Sequence, residues 1–322
     1  MAFRRIAGSL VLLVALAAPA AAADYPTRAV RIICPFPAGG TADILARLVA
    51  QILQEAWTHP VVVENRAGAA GNIGADMVAK AEPDGYTLLV SPPPPLAVNM
   101  SLYKAMPFDA RTAFAYVGIV AQSPSVFAVS PKTPYKSVAE FVAFARANPG
   151  KVNYATQGNG TTSHLTTAML ATQRELQMTH IPYRGSAPAL TDLLAGQVDI
   201  MFDNLGSSLG HIKAGSLRAL AVAGTSRNEN LPDVPTMVES GFPGFISVAW
   251  FGVAAPARTP DDITNLISGH VARGLRKPEI REKLAGIGVD PVGGTPAEMT
   301  KFVQEEMARW AAVITSANVK VD

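Results

Sequence analysis

The residues best placed to do chemistry in this chain sit at three glycine-rich corners. These are Pro35-Phe36-Pro37-Ala38-Gly39-Gly40-Thr41, Gly68-Ala69-Ala70-Gly71-Asn72-Ile73-Gly74 and Gln157-Gly158-Asn159-Gly160-Thr161-Thr162-Ser163. Each follows an apolar run and precedes a helix-like pattern, so each would leave free backbone N–H groups at a helix start. Proteins hold carboxylates and phosphates at such places. The residues that would do chemistry on an anion do not accompany them, so the corners point to binding. Sharper motifs compete with this reading. Gly206-Ser207-Ser208-Leu209-Gly210 fits the nucleophile elbow G-x-S-x-G, and Asp233 and His270 follow in hydrolase order. A secreted serine hydrolase using Ser208 therefore stays open. Against it, several residues separate Phe202 from the glycine, where an elbow needs a tight strand-to-helix turn. Gly158-Asn159-Gly160 with Ser163 departs from the dinucleotide fingerprint at its last glycine, and Glu175 falls short of the acid's position. The histidines His59, His164, His180, His211 and His270 lack metal-ligand spacing, and no metal or other cofactor is expected. His164, at a helix start beside the third corner, is either near ligand or a structural cap. Asp203 is either near ligand or a turn residue.

The elements that would carry these corners alternate in the α/β manner. Strands are expected at 30–34, 61–63, 86–91, 115–121, 125–130, 152–156, 180–183, 198–202 and 217–223, with another apolar run at 247–254. Helical spacing links Ile44, Leu45, Leu48, Val49, Ile52 and Leu53. Further helices are expected after the second corner, from Ser137 to Asn148, from about His164 and over 187–195. Ser137-Val138-Ala139-Glu140 reads as a capping box. Thr259-Pro260-Asp261-Asp262 and Thr295-Pro296-Ala297-Glu298 each place a hydroxyl cap, a proline and an acid at a helix start. Pro92-Pro93-Pro94-Pro95 stops the strand before it, and a tetraproline can neither continue a helix nor pair in a sheet centre.

Arg4 and Arg5, the apolar stretch from Ile6 to Ala18, and Pro19-Ala20-Ala21-Ala22-Ala23 form a signal peptide pattern, with cleavage expected near Ala23. Export by the Tat route fits poorly after the paired arginines. The 322 residues are enough for two domains or one large one, and 49% hydrophobic residues supply real cores. The net charge of +2 includes the signal arginines, and the chain has no basic stripe, so nucleic acid is not expected as a partner. The single cysteine, Cys34, lies in an apolar run and reads as a small buried hydrophobe.

Several segments together resemble the periplasmic receptors of tripartite tricarboxylate transporters, the Bug family. They are Asp24-Tyr25-Pro26-Thr27-Arg28 with 30–40, Val62-Val63-Glu64-Asn65-Arg66, Lys80-Ala81-Glu82-Pro83-Asp84-Gly85-Tyr86-Thr87-Leu88, and Pro182-Tyr183-Arg184-Gly185-Ser186-Ala187-Pro188-Ala189 running into Gly196-Gln197-Val198-Asp199. Leu217-Arg218-Ala219-Leu220-Ala221-Val222, Leu231-Pro232-Asp233-Val234-Pro235-Thr236 and Trp250-Phe251-Gly252 complete the match, in order over almost all of the mature chain. The resemblance implies an α/β, two-domain Venus-flytrap fold, type II-like, hinged on two crossing strands. One domain would comprise 24–120 plus 251–322, and the other 121–250. It implies a monomer that captures a small carboxylate without changing it and delivers it to membrane subunits. A signalling partner in place of the transporter stays open. The implied ligand site comprises Phe36, Pro37, Ala38, Gly39, Gly40, Asp43, Ser91, Gly158, Gly160, Thr161, Thr162, His164 and Asp203. Relatives carry hydroxyl residues leading to an asparagine after Leu88-Leu89. Here Ser91 and Asn99 remain, with four prolines and Leu96 between them. Two expectations follow: a stiffer, less polar wall suited to an aromatic or longer-chained acid, or an exposed rim loop shaped by the prolines.

Overall fold

The computed structural model describes residues 25–316 and Val319; the expected signal segment lies outside them. The chain begins with β1 (Val30–Cys34), α1 (Thr41–Ala56) and β2 (Val61–Asn65), then a short turn over Ala69–Gly71 and α2 (Asn72–Ala79). β3 (Thr87–Ser91), a turn over Pro94–Val98, α3 (Asn99–Leu102) and β4 (Phe114–Val129) follow. Next come α4 (Val138–Ala147), β5 (Asn153–Thr156), α5 (Thr162–Arg174), β6 (Thr179–Pro182), α6 (Ser186–Ala195), β7 (Ile200–Asn204), α7 (Leu205–Lys213) and β8 (Arg218–Val222). The chain ends with β9 (Val248–Pro256), α8 (Asp261–Leu275), α9 (Pro278–Gly286), β10 (Asp290–Gly293) and α10 (Pro296–Ser316).

Two lobes result, each a sheet covered on both faces. In the first, β2, β1 and β3 are parallel, β9 runs antiparallel beside β3, and β4 and β10 complete the sheet. Strand periodicity explains why these strands read as unbroken apolar runs. Ile32, Cys34, Leu88 and Val90 pack under α1, α8 and α9, while Ile33 and Leu89 face Ala75, Val78, Met299 and Val303 on the other side. Cys34 is buried and unpaired, as its apolar setting requires. In the second lobe β5 lies parallel to β6 and β7, and β7 and β8 flank the end of β4. Phe127, Phe202 and Ile200 meet Phe141, Leu170 and Phe245 on one face; Ala128 and Met201 meet Leu190 and Leu193 on the other.

β4 belongs to both lobes. Where the sequence reads as two runs, one strand of 16 residues forms. It pairs with β9 up to Pro124↔Val248 and with β7 and β8 from Ser125 onward. Pro124 has no N–H to give a ladder, so it is tolerated where one sheet hands over to the next. The return crossing lies alongside it: the Ser125 N–H donates to the Ser247 carbonyl (2.9 Å), and the Ser247 N–H to the Ala223 carbonyl (2.8 Å).

Two of the three caps expected from sequence form, at Ser137 and at Thr295. At α10, the Thr295 N–H donates to Glu298 Oε2 (2.7 Å) and the Glu298 N–H to Thr295 Oγ1 (3.3 Å), a reciprocal capping box. α8 begins one residue later than expected, because the Thr259 hydroxyl turns back to the Pro256 carbonyl (2.7 Å) and Pro260 becomes the cap. The tetraproline also departs from expectation. Pro94 opens a helical turn, where a missing N–H costs nothing because the first-turn N–H groups have no intrahelical partner. Residues 92–98 are buried, so no exposed rim loop forms.

Candidate functional site

A cavity of about 240 Å³ lies between the lobes, and all three glycine corners reach it. Phe36 comes from the first corner, Gly68, Ala69, Ala70 and Gly71 from the second, and Gln157, Gly158 and Asn159 from the third. Tyr103, Pro182, Tyr183 and Arg184 close the remaining sides. Arg184 is the one charged side chain in this lining; it is exposed and has no ion-pair partner among the described residues. A larger groove, about 750 Å³, lies wholly on the first lobe beside Tyr116, Thr264, Thr300 and Met307. Its walls all belong to one lobe, so closure cannot grip a ligand there. A second pocket between the lobes, about 280 Å³, lies between residues 224–230 and 285–290, but none of the three corners lines it. The cavity that all three corners reach is the candidate site despite its smaller size.

The second corner is built under strain. Ala69 (φ 47°) and Ala70 (φ 49°) are both left-handed, a conformation costing an L-residue about 1–2 kcal/mol. Strain of this kind concentrates where a site needs a fixed backbone. Asn99 holds the turn in place: its Nδ2 donates to the Ala70 carbonyl (3.2 Å) and to Asn72 Oδ1 (2.7 Å). Behind it, Pro95 and Phe36 crowd Gly71, where an added Cβ would lie 3.1 Å and 3.2 Å from their rings. The prolines therefore stiffen the wall from behind instead of lining it. Asn99 Oδ1 in one lobe and Ser163 Oγ in the other are buried and carry no protein hydrogen bond. Asn99 marked the family pattern in the sequence; nothing in spacing or composition singled out its role in bracing the turn.

The remainder of the first corner meets the opposite lobe and not the cavity. A Cβ at Gly39 would lie 3.6 Å from Ala187, one at Gly40 3.6 Å from Ser186, and Pro37 presses on Gly185. Ala38 is exposed. Thr41 Oγ1 donates to Ser207 Oγ across the seam (3.2 Å). The helix starts thus do oppose one another across the lobes, but their anions are internal. Asp43 Oδ2 accepts the Gly39 N–H (3.1 Å) and Arg47 Nε (3.1 Å), and Oδ1 accepts Asn65 Nδ2 (2.9 Å). These bonds hold its carboxyl below the usual range against the opposing effect of burial. Asp43 is committed to its own corner and does not line the cavity.

The third corner is likewise self-supporting beyond Asn159. Thr161, not a residue nearer His164, caps α5, accepting the His164 N–H (3.4 Å). His164 Nδ1 accepts the Gly160 N–H (3.1 Å), and its ring stacks 4.3 Å from His180. Burial pushes both histidines down to about 4, so they are neutral. Gly160, Thr161, Thr162 and His164 sit behind the lining and shape it. Ser91 is buried in β3 and donates to the Pro92 carbonyl (3.0 Å), outside the cavity. Asp203 is also outside it, yet bonded to it: Oδ1 accepts Gln157 Nε2 (2.6 Å) and Ser186 Oγ (2.8 Å), and Oδ2 accepts Ser207 Oγ (2.8 Å) and Ser208 Oγ (2.5 Å).

The elbow motif resolves on the same contacts. β7 runs into α7 without a gap, tighter than the sequence implied. Ser208 is nonetheless fully buried and bonded to an aspartate, while His270 lies on α8 beside Arg273 and Trp57. Among the described residues no hydrogen bond joins Ser208 to His270 or His270 to Asp233.

Residues 45–319 match the model of the tripartite tricarboxylate transporter family receptor, TctC. Protein BugT of Bordetella pertussis is 38% identical over 317 residues, covering 98% of this chain and 97% of that one. A solved R. palustris protein with adipate superposes with a TM-score of 0.90 at 39% identity, over 92% of this chain and 99% of that one. MatC from Rhodopseudomonas palustris with bound malate gives 0.86 at 31% identity, over 90% and 100%. A likeness spanning both lobes, their crossing strands and all three corners places the chain: it belongs to the tripartite tricarboxylate transporter receptor family.

Proposed function

We propose that this protein captures a small aliphatic dicarboxylate between its lobes in the periplasm and passes it, unaltered, to the membrane subunits of a tripartite tricarboxylate transporter. One observation carries the reading: all three glycine corners, from both lobes, wall this cavity, so a ligand held there and lobe closure stabilise each other. Its volume of about 240 Å³ is below that of drug-sized sites and suits a small acid. Phe36, Ala69, Ala70 and Pro182 offer an apolar middle, and Arg184 offers a cation to one end. Relatives solved with adipate and with malate support this class of ligand. In this reading the lobes close as units divided at 120/121 and 250/251, as read from sequence; the strand ladder changes partners close by, at 124/125 and 247/248. The reading includes export by the leader and work as a monomer; no helix among the described residues is long and apolar enough to cross a membrane.

Catalysis has no place in this reading, since the Ser208 hydroxyl is spent on Asp203. Calorimetry with adipate, malate, benzoate and acetate tests it: adipate or malate should bind with a stoichiometry of one, and benzoate and acetate should not. Silence with both dicarboxylates, or fluorophosphonate labelling that disappears in Ser208→Ala, would refute it.

A further inference from the structure

Resting on the binding reading above, we propose that Asp203 is a positioning residue that ties the cavity to the seam between the lobes. It is 1% exposed, and among the described residues no arginine or lysine is bonded to it. Four neutral donors fill its lone pairs, and they come from three places in the fold. Gln157 lines the cavity; Ser186 opens α6; Ser207 and Ser208 lie in the first turn of α7. Two of these four also meet the opposite lobe. Ser207 receives the Thr41 hydroxyl (3.2 Å), and the Ser186 Cβ lies 3.6 Å from the Cβ that Gly40 would carry.

The chemistry of the carboxylate makes this arrangement directional. Asp203 can only accept, so it selects the NH₂ end of the Gln157 amide and fixes how that side chain meets a ligand. The single Ser207 proton lies between Asp203 Oδ2 (2.8 Å) and the Asn204 carbonyl (3.0 Å), the carboxylate being the nearer and stronger acceptor. Closure adds the Thr41 bond to Ser207, and the hydroxyl that receives a bond gives a stronger one onward to Asp203. Thr41 and Gln157 share no contact among the hydrogen bonds, yet one carboxylate joins them. Closing the seam therefore stiffens the cavity's polar contact, and a ligand on Gln157 stiffens the seam.

A double-mutant cycle on adipate binding, measured by stopped flow and calorimetry, tests the link. Thr41→Val and Gln157→Leu should each raise the dissociation rate with little change in association. The two effects should be non-additive by roughly five-fold or more, the range of ordinary allosteric coupling. In an Asp203→Asn background, where the new amide cannot accept from both serines, the same cycle should become additive. Ser207→Ala, which leaves the carboxylate in place, should give the same loss of coupling if Asp203→Asn folds poorly. A wild type that binds adipate but shows additive effects overturns the relay alone. A wild type that binds neither adipate nor malate overturns the function and the relay with it.

Discussion

Gly185→Ala separates the cost of closing from the cost of folding. Gly185 caps α6 at φ 133°, and a Cβ built there would lie 2.7 Å from Pro37 Cδ and 3.1 Å from its Cγ. Carbon atoms pack best at about 3.5–4.0 Å, so the overlap is close to an ångström against a proline ring that cannot rotate away. Overpacking of this kind costs about 1–3 kcal/mol. Pro37 and Gly185 belong to different lobes, so the clash exists only when the cleft is shut, and ligand affinity should fall by about 5–150-fold. The backbone strain, about 1–3 kcal/mol at such a φ, is present open or shut and appears as lost thermal stability. Gly150→Ala provides the control: its φ is 75°, and nothing lies within 4 Å of the added Cβ. Calorimetry with adipate and thermal melts of both variants should show a lowered Tm in each, with affinity lost only at position 185. Equal affinities in the two variants would contradict a ligand gripped by closure.

Arg184→Ala should slow association of a dicarboxylate several-fold at low ionic strength and hardly at all in 0.5 M salt, because an exposed unpaired cation acts through screened steering. His164 should make the fold acid-sensitive. Its ring is held neutral down to about 4, while in the unfolded chain it protonates near its ordinary 6.5. The unfolded state therefore binds more protons between these values, and stability is lost as pH falls through that window, by up to about 1.4 kcal/mol per pH unit from this group. Urea melts from pH 4 to pH 7 should show a shallower slope for His164→Gln; an unchanged slope would exclude His164 as a source. Cys34, buried with its thiol pushed up to about 12, should stay unlabelled by Ellman's reagent at pH 8 until urea unfolds the protein; rapid native labelling would place it elsewhere.

Much of the scaffold was legible because it rests on local rules. Ile44 to Leu53 showed a helical stripe, the Val30 to Cys34 run showed a strand, and Thr295 with Glu298 showed a cap; each formed as read. What local rules miss is who meets whom. Residues 125–130 read as a run separate from 115–121, but one strand passes through both, because a proline at a handover between sheets interrupts nothing. The tetraproline looked incapable of helix because the fact that it stood at a first turn was invisible. The corners were recognised as helix starts that attract anions, and they reach one cavity. Which anion each holds was not legible, since Asp43 satisfies its own corner and Asp203 gathers donors distant in sequence. Arg184 lay in the 182–189 segment and Asn99 stood as the asparagine after Leu88-Leu89, but their places at the cavity and behind it depend on how the chain folds around it.

A crystal structure grown with adipate tests the central claim most directly. The account predicts one acid enclosed by both lobes, against Phe36, Gly71 and Gln157, with a carboxylate toward Arg184 and the Thr41–Ser207 contact intact. Acid found only in the wide groove beside Tyr116 and Thr300, with the interlobe cavity occupied by nothing but water, would contradict it.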